Sequence, residues 1–439
     1  MKPPFRRLLQ LLLLTILIAA CTPSGTGRGF AYIWYVATTG ADTNICDEPA
    51  APCLTLAGAL EKARATEAWV GRDYPGETVS FVHTINVAAG VYMVAGSREG
   101  YPFARADINV TINGAGRTTT IFDAANTYGG IFIPGDVRVT LRNFTVRNVV
   151  GSAPDSCINI RDAATVTIEN VVVRSCKRNG IDHTSSGPLT LINVVAVLTV
   201  LEDSGSFGHG VMSHGEVSIV GGRFFRNEGA GVSILSGNLT MNRGVVEFNE
   251  RDGIHIVSSN ATLNGVNVHD NGQDLGYRFG LFLGTGASVT ATDTTISANP
   301  NGVLIYGEGS RLELIDSVVR NNPGTGIVVS NGELSLLGTT VEGNGAANVG
   351  TSLVGGIHTD AGTQTTIRNS QISANLNGGI SNFGELTLSE SVLTGNDGGL
   401  PVVFNHSGAS AVVERSLLAN NIRTGRRNRE TPRLKTAAR

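Results

Sequence analysis

The chain has 439 residues, of which 56 are glycine and 14 proline, with 41% hydrophobic and 16% charged residues. Glycine at about 13 % is nearly twice its usual share and charge falls well below the usual ~25 %. The absence of a three-residue glycine period excludes a collagen-like rod, the hydrophobic content argues against disorder, and a net charge of −3 carries no bias toward nucleic acid.

Residues 1–20 read as a signal peptide: Lys2, Arg6 and Arg7, then an apolar run from Leu8 to Ile18 broken by Gln10 and Thr15, then small residues. The run is shorter than the about 20 residues of a membrane-spanning helix. Its end, Ile18-Ala19-Ala20-Cys21, resembles the lipobox of bacterial lipoproteins. That resemblance implies cleavage before Cys21 and acylation of its thiol. It also implies a partner in the membrane, through a lipid anchor of at least two acyl chains, on the outer face of a bacterial membrane, at the cell surface or in the periplasm. Residues 21–29 form the linker, whose eight residues after Cys21 reach under ~30 Å. At the other end, residues 422–439 hold seven basic residues against Glu430 and read as a basic, disordered tail. The body between leader and tail has 23 basic and 35 acidic residues, a formal charge of −12.

Four further cysteines in an exported chain permit disulfides. Cys46 and Cys53 stand seven apart around Pro49 and Pro52 and are expected to pair; for Cys157 and Cys176 the spacing leaves a second bridge open. No cysteine or histidine has zinc-like spacing to either pair, so no metal site is expected.

From residue 137 to 421 one unit recurs about twelve times at a mean spacing of about 25 residues. LELIDSVVRNNPGTGIVV (312–329) and TTIRNSQISANLNGGI (365–380) are good copies. An asparagine slot runs through Asn227, Asn249, Asn271, Asn299, Asn322, Asn344, Asn375, Asn396 and Asn421, with Val149, Cys176 and Thr199 in earlier copies. Apolar residues alternate, which is the period of a strand. Three short strands per unit, the third opened by a glycine such as Gly253 or Gly302, describe stacked coils of parallel sheet.

These repeats resemble the right-handed parallel β-helices of the pectate-lyase-like superfamily, over roughly residues 32–421. The resemblance implies an all-β solenoid of about 12 or more coils. It also assigns residues 30–136 to an N-terminal cap, with a first strand, the Cys46–Cys53 loop and a helix, followed by the first coils. Its enzymes hydrolyse or eliminate acidic polysaccharides, the latter with calcium; calcium would enter here only as a lyase cofactor.

The asparagine column is read as structural: asparagine tolerates left-handed turns, and stacked amides hydrogen-bond along a solenoid. Function is sought where the repeat varies, on the outward positions of the glycine-led strand: Asp182, His214, His255, Phe282, Tyr306, and the pair His358 and Asp360. An apolar, aromatic middle there suits stacking of sugar rings on Phe282 and Tyr306, or docking of a cell-surface protein. Three long turns from one corner add Glu202, Asp203, Asp274, Tyr277 and Arg278. Asp182 and Asp360 are seven coils apart, over ~30 Å, too far to act as a glycosidase pair. His183 has inward parity and is expected to be a satisfied interior residue. The leading reading is a non-catalytic, lipid-anchored protein that binds polysaccharide or a partner. The alternatives are a polysaccharide lyase, hydrolase or epimerase with a loop-built site, and a periplasmic maturation or assembly factor such as the copper-site accessory proteins of this fold.

Overall fold

A computed structural model describes residues 28–93, 102–126, 129–150, 156–200, 208–273, 278–345, 355–396 and 401–419, together with the backbone of 423–424 and 434–436. Among the described residues the strands stack into three sheets of 16, 14 and 14 strands. Sheet A runs from Arg28–Val36 to Leu434–Thr436, sheet B from Gly90–Met93 to Leu417–Leu418, and sheet C from Pro102–Arg105 to Arg423–Thr424. Successive strands in each sheet come from successive coils, and each pairing in register is parallel, as between Asn260–Thr262 and Ser288–Thr290. The architecture is a right-handed parallel β-helix.

Strand alternation puts one residue in two inside, and the interior is filled by columns of Val, Ile and Leu. Val146, Val173, Phe224 and Val246 of sheet B and Leu141, Ile168, Ile219 and Leu263 of sheet A are fully buried. In parallel coils like residues stack on like, so branched aliphatic side chains interdigitate along the axis.

Among the described residues one helix, α1 (Leu56–Asp73), lies against the first strands of sheets A and C. Thr55 is its N-cap, Oγ1 accepting from the Gly58 N–H, and the Asp42 carboxylate accepts from the N–H groups of Leu54 and Thr55. The Cys46–Cys53 and Cys157–Cys176 disulfides are both formed. Cys176 occupies the asparagine slot of its coil, so a covalent bridge ties that corner where the amide ladder has not yet begun.

From Asn227 to Asn396 the slot residues form a buried ladder. Each side-chain N–H2 donates to the side-chain oxygen of the next, at 2.8 Å for Asn227 to Asn249 and 2.7 Å for Asn249 to Asn271. That oxygen also accepts the backbone N–H of the preceding slot residue, and the N–H2 reaches a sheet B carbonyl one coil back. Thr199 opens the ladder by donating to Asn227. The expected left-handed conformation falls on the residue before the asparagine, as at Arg226, Phe248, Asp270 and Ala298. The amide itself is held for its hydrogen bonds.

Two boundaries differ from the sequence reading. The first strand begins at Arg28, inside the expected linker. Within the expected disordered tail, Arg423–Thr424 and Leu434–Thr436 add strands to sheets C and A, pairing with Phe404–Asn405 and Ala411–Val413. An open sheet edge offers unpaired N–H and C=O groups to any extended chain nearby, whatever its side chains.

Candidate functional site: the outer face of sheet C

The glycine that opens the sheet C strand in the coils from Gly210 to Gly326 lets that strand close on the ladder. A Cβ at Gly302 would stand 2.2 Å from the Gly326 carbonyl oxygen and 3.0 Å from Asn322 Nδ2. This closeness fixes the register of the outward residues in two rows. The inner row runs through Asp182, Met212, Ser233, His255, Phe282, Leu304, Val328, His358 and Ser381. The edge row, two residues on and beside the corner with sheet A, runs through His214, Leu235, Val257, Tyr306, Ser330, Asp360, Phe383 and His406.

The inner row is not the open apolar groove expected from sequence. Asp182 is buried and ion-paired with Arg161 at 3.0 Å, which removes it as a ligand contact. Leu304 and Val328 are only 8% and 5% exposed and form a small cluster with Phe279 and Phe282. Phe282 also has one face covered by the His255 ring, parallel at 4.4 Å between centroids. Coils stacked about 4.8 Å apart bring large neighbours in a row into contact, so they cover one another. His183 is the satisfied interior residue expected: Nε2–H donates to the Gly187 carbonyl, Nδ1 meets Ser213 Oγ at 2.7 Å, and burial holds its imidazole below the ordinary value.

The edge row is accessible. His214 is exposed, Tyr306 is 55% exposed and Phe383 37%. Between the two aromatics stands Asp360, with Oδ2 accepting from Ser330 Oγ at 2.9 Å and Oδ1 facing His358 Nε2 at 3.1 Å. Each carboxylate oxygen thus has one donor and retains lone-pair capacity toward solvent. Phe383 stacks on His406 at 3.4 Å, and His406 Nε2 meets Ser381 Oγ at 3.0 Å. Burial first, and the neighbouring His358 second, hold the His406 imidazole below its ordinary value. The sequence signal for this group was the His358-x-Asp360 pair; His406 and Phe383 were missed because they join it only through coil stacking.

His255, a candidate base, pairs through Nδ1 with Asp252 Oδ2 at 3.1 Å, and Asp252 Oδ1 accepts the Phe279 N–H. Asp252 precedes the coil-opening glycine and was not singled out from sequence. His214 lies two coils away in the other row and does not join this pair. Arg278 is half-buried beside Phe279, its carbonyl accepting from Asn301. Cys21, Glu202, Asp203, Asp274 and Tyr277 lie outside the described residues.

A second polar group, unforeseen in the sequence, lies on sheet B. Glu247 is nearly buried between Arg223 and His269, and the other nitrogen of His269 faces Asp270 at 2.7 Å. It borders a depression of about 470 Å³ with Asn267, Asp293, Thr295 and Arg320. Among the described residues no group of three or more His, Cys, Asp or Glu side chains is placed to hold a metal ion.

Among solved structures, the chain is similar to pectate lyase Pel9A (14% identity, 79% of each chain covered, TM-score 0.37). It is similar to the A-module of the Azotobacter vinelandii mannuronan C-5 epimerase AlgE4 (14% identity, 81% of this chain and 91% of that one, TM-score 0.38). It is also similar to the Agl-KA catalytic domain (12% identity, 90% and 69%, TM-score 0.43). At these identities the likeness concerns the fold alone. No curated protein matches the chain. The model of the right handed beta helix region matches residues 129–277 and 258–427, most of the chain, and the protein belongs to that family.

Proposed function

We propose that this protein is a lipid-anchored, extracytoplasmic β-helix that binds polysaccharide along the exposed edge row of sheet C. The observation that carries the reading is Asp360, a carboxylate oriented by Ser330 and His358 and set between the exposed rings of Tyr306 and Phe383. Aromatic faces pack on the C–H faces of sugars while a fixed carboxylate accepts their hydroxyls. Tyr306 and Phe383 are three coils apart, roughly 14 Å at the inter-strand spacing, so an extended glycan lying along the axis would meet both.

Affinity electrophoresis of the purified ectodomain in glycan-containing gels tests the binding. Retention should be lost in Tyr306→Ala and Asp360→Asn, and no new reducing ends or unsaturated products should appear. Retention that survives both substitutions would overturn the reading. The anchor is supported by Ile18-Ala19-Ala20-Cys21, and Cys21→Ser should move the expressed protein from the membrane to the soluble fraction.

The Asp252–His255 pair favours a second reading, a polysaccharide-active enzyme. An imidazole oriented by a nearly buried carboxylate and itself 27% exposed is a suitable general base. Glycan turnover that His255→Ala abolishes would establish it in place of simple binding.

A further inference from the structure

The charge around the edge row restricts which glycan can lie on it. The corner segments that join sheet C to sheet A, from Thr184–Pro188 to His406–Ala409, contain no lysine or arginine. Their carboxylates are Glu308 and Asp360, and the sheet A strands leaving the same corner begin with exposed Glu216 and Glu385. Arg311, at another such strand start, is paired with Glu333 at 2.7 Å. On the face itself Arg161 is paired with Asp182. The imidazole of His406 is disfavoured as a cation by burial and by His358.

A polyuronate laid along this edge would bring one carboxylate per sugar beside Asp360 and its acidic neighbours, with no unpaired cation opposite among the described residues of these corner segments. Like charges at such separations repel, and most strongly where the protein excludes water. An uncharged hexose offers only hydroxyls and C–H faces, which match the free lone pairs of Asp360 and the rings of Tyr306 and Phe383.

We propose that the edge row recognises a neutral glycan, a polymer of uncharged hexoses, and discriminates against polyuronates. This rests on the polysaccharide reading above. Isothermal titration of the full chain near neutral pH, against soluble glucans, mannans and galactans and against polygalacturonate and alginate, tests it. A neutral polymer should bind at least about tenfold more tightly than either polyuronate, and added salt should leave its affinity unchanged while raising that of the polyuronates. Asp360→Lys should weaken the neutral polymer and strengthen the polyuronates. Tighter binding of a polyuronate, weakened by salt, would overturn the neutral-glycan inference and leave polysaccharide binding standing. Binding of neither class would remove both.

Discussion

Asn271 illustrates what a slot residue does. Its side-chain oxygen accepts from the backbone and side chain of Asn249, and its N–H2 donates to Asn299 and to the Val246 carbonyl, all away from water. Asn271→Leu would leave two buried donors on Asn249 without an acceptor, a loss of about 2–5 kcal/mol, read as a lowered denaturant midpoint. The same substitution at the exposed Asn260 should change it little. His183 has a different signature. Its imidazole is held neutral by burial, below the ordinary value of 6.5, so the unfolded chain takes up a proton at a higher pH than the folded one. Its contribution to stability is therefore complete above pH 6.5 and declines as pH falls below it, by up to about 1.4 kcal/mol per unit. Denaturation midpoints measured across this range should lose part of their acid slope in His183→Gln. Asp123 acts in a separate window. Burial opposes its charge, but the Ala125 N–H, Asn148 and Arg147 outweigh burial and lower its pKa, so its contribution disappears only below about pH 3.8.

At the scale of the element, the coil-opening glycines separate close approach from backbone freedom. Gly302 is not in the left-handed region, yet a Cβ there collides with the Gly326 carbonyl, part of the ladder between two sheet C strands. Gly302→Ala should cost more than about 3 kcal/mol. Gly362, at φ +81 with nothing within 4 Å of a built Cβ, should cost only about 1 kcal/mol on the same substitution. Equal losses in thermal unfolding would refute the assignment. The strand positions were legible because a period of two, repeated coil after coil, leaves few registers that bury every apolar column. The two ladder roles were only half legible. The spacing marks which residues recur, but whether asparagine or its predecessor takes the left-handed turn depends on where the chain bends between sheets.

For the whole molecule, the open end of a solenoid is its weak point. Sheets C and A end on Arg423–Thr424 and Leu434–Thr436, which cover the edges of Val403–Asn405 and Ser410–Glu414. Removing residues 422–439 would expose both edges and should produce concentration-dependent self-association by light scattering; a truncated chain that stays monomeric would show that the added strands do not protect the end. Local alternation and spacing alone specified the architecture and interior columns of the repeat, the pairing of Cys46 with Cys53 ahead of it and the inward place of His183. Only the tertiary structure decided which outward residues remain available. Parity distinguishes inside from outside but not whether a neighbour one coil away covers the side chain. That is why Asp182 and the Leu304–Val328 strip are closed, why Cys157 meets Cys176, and why Asp360, Phe383 and His406, scattered over 47 positions of sequence, share one edge of the helix.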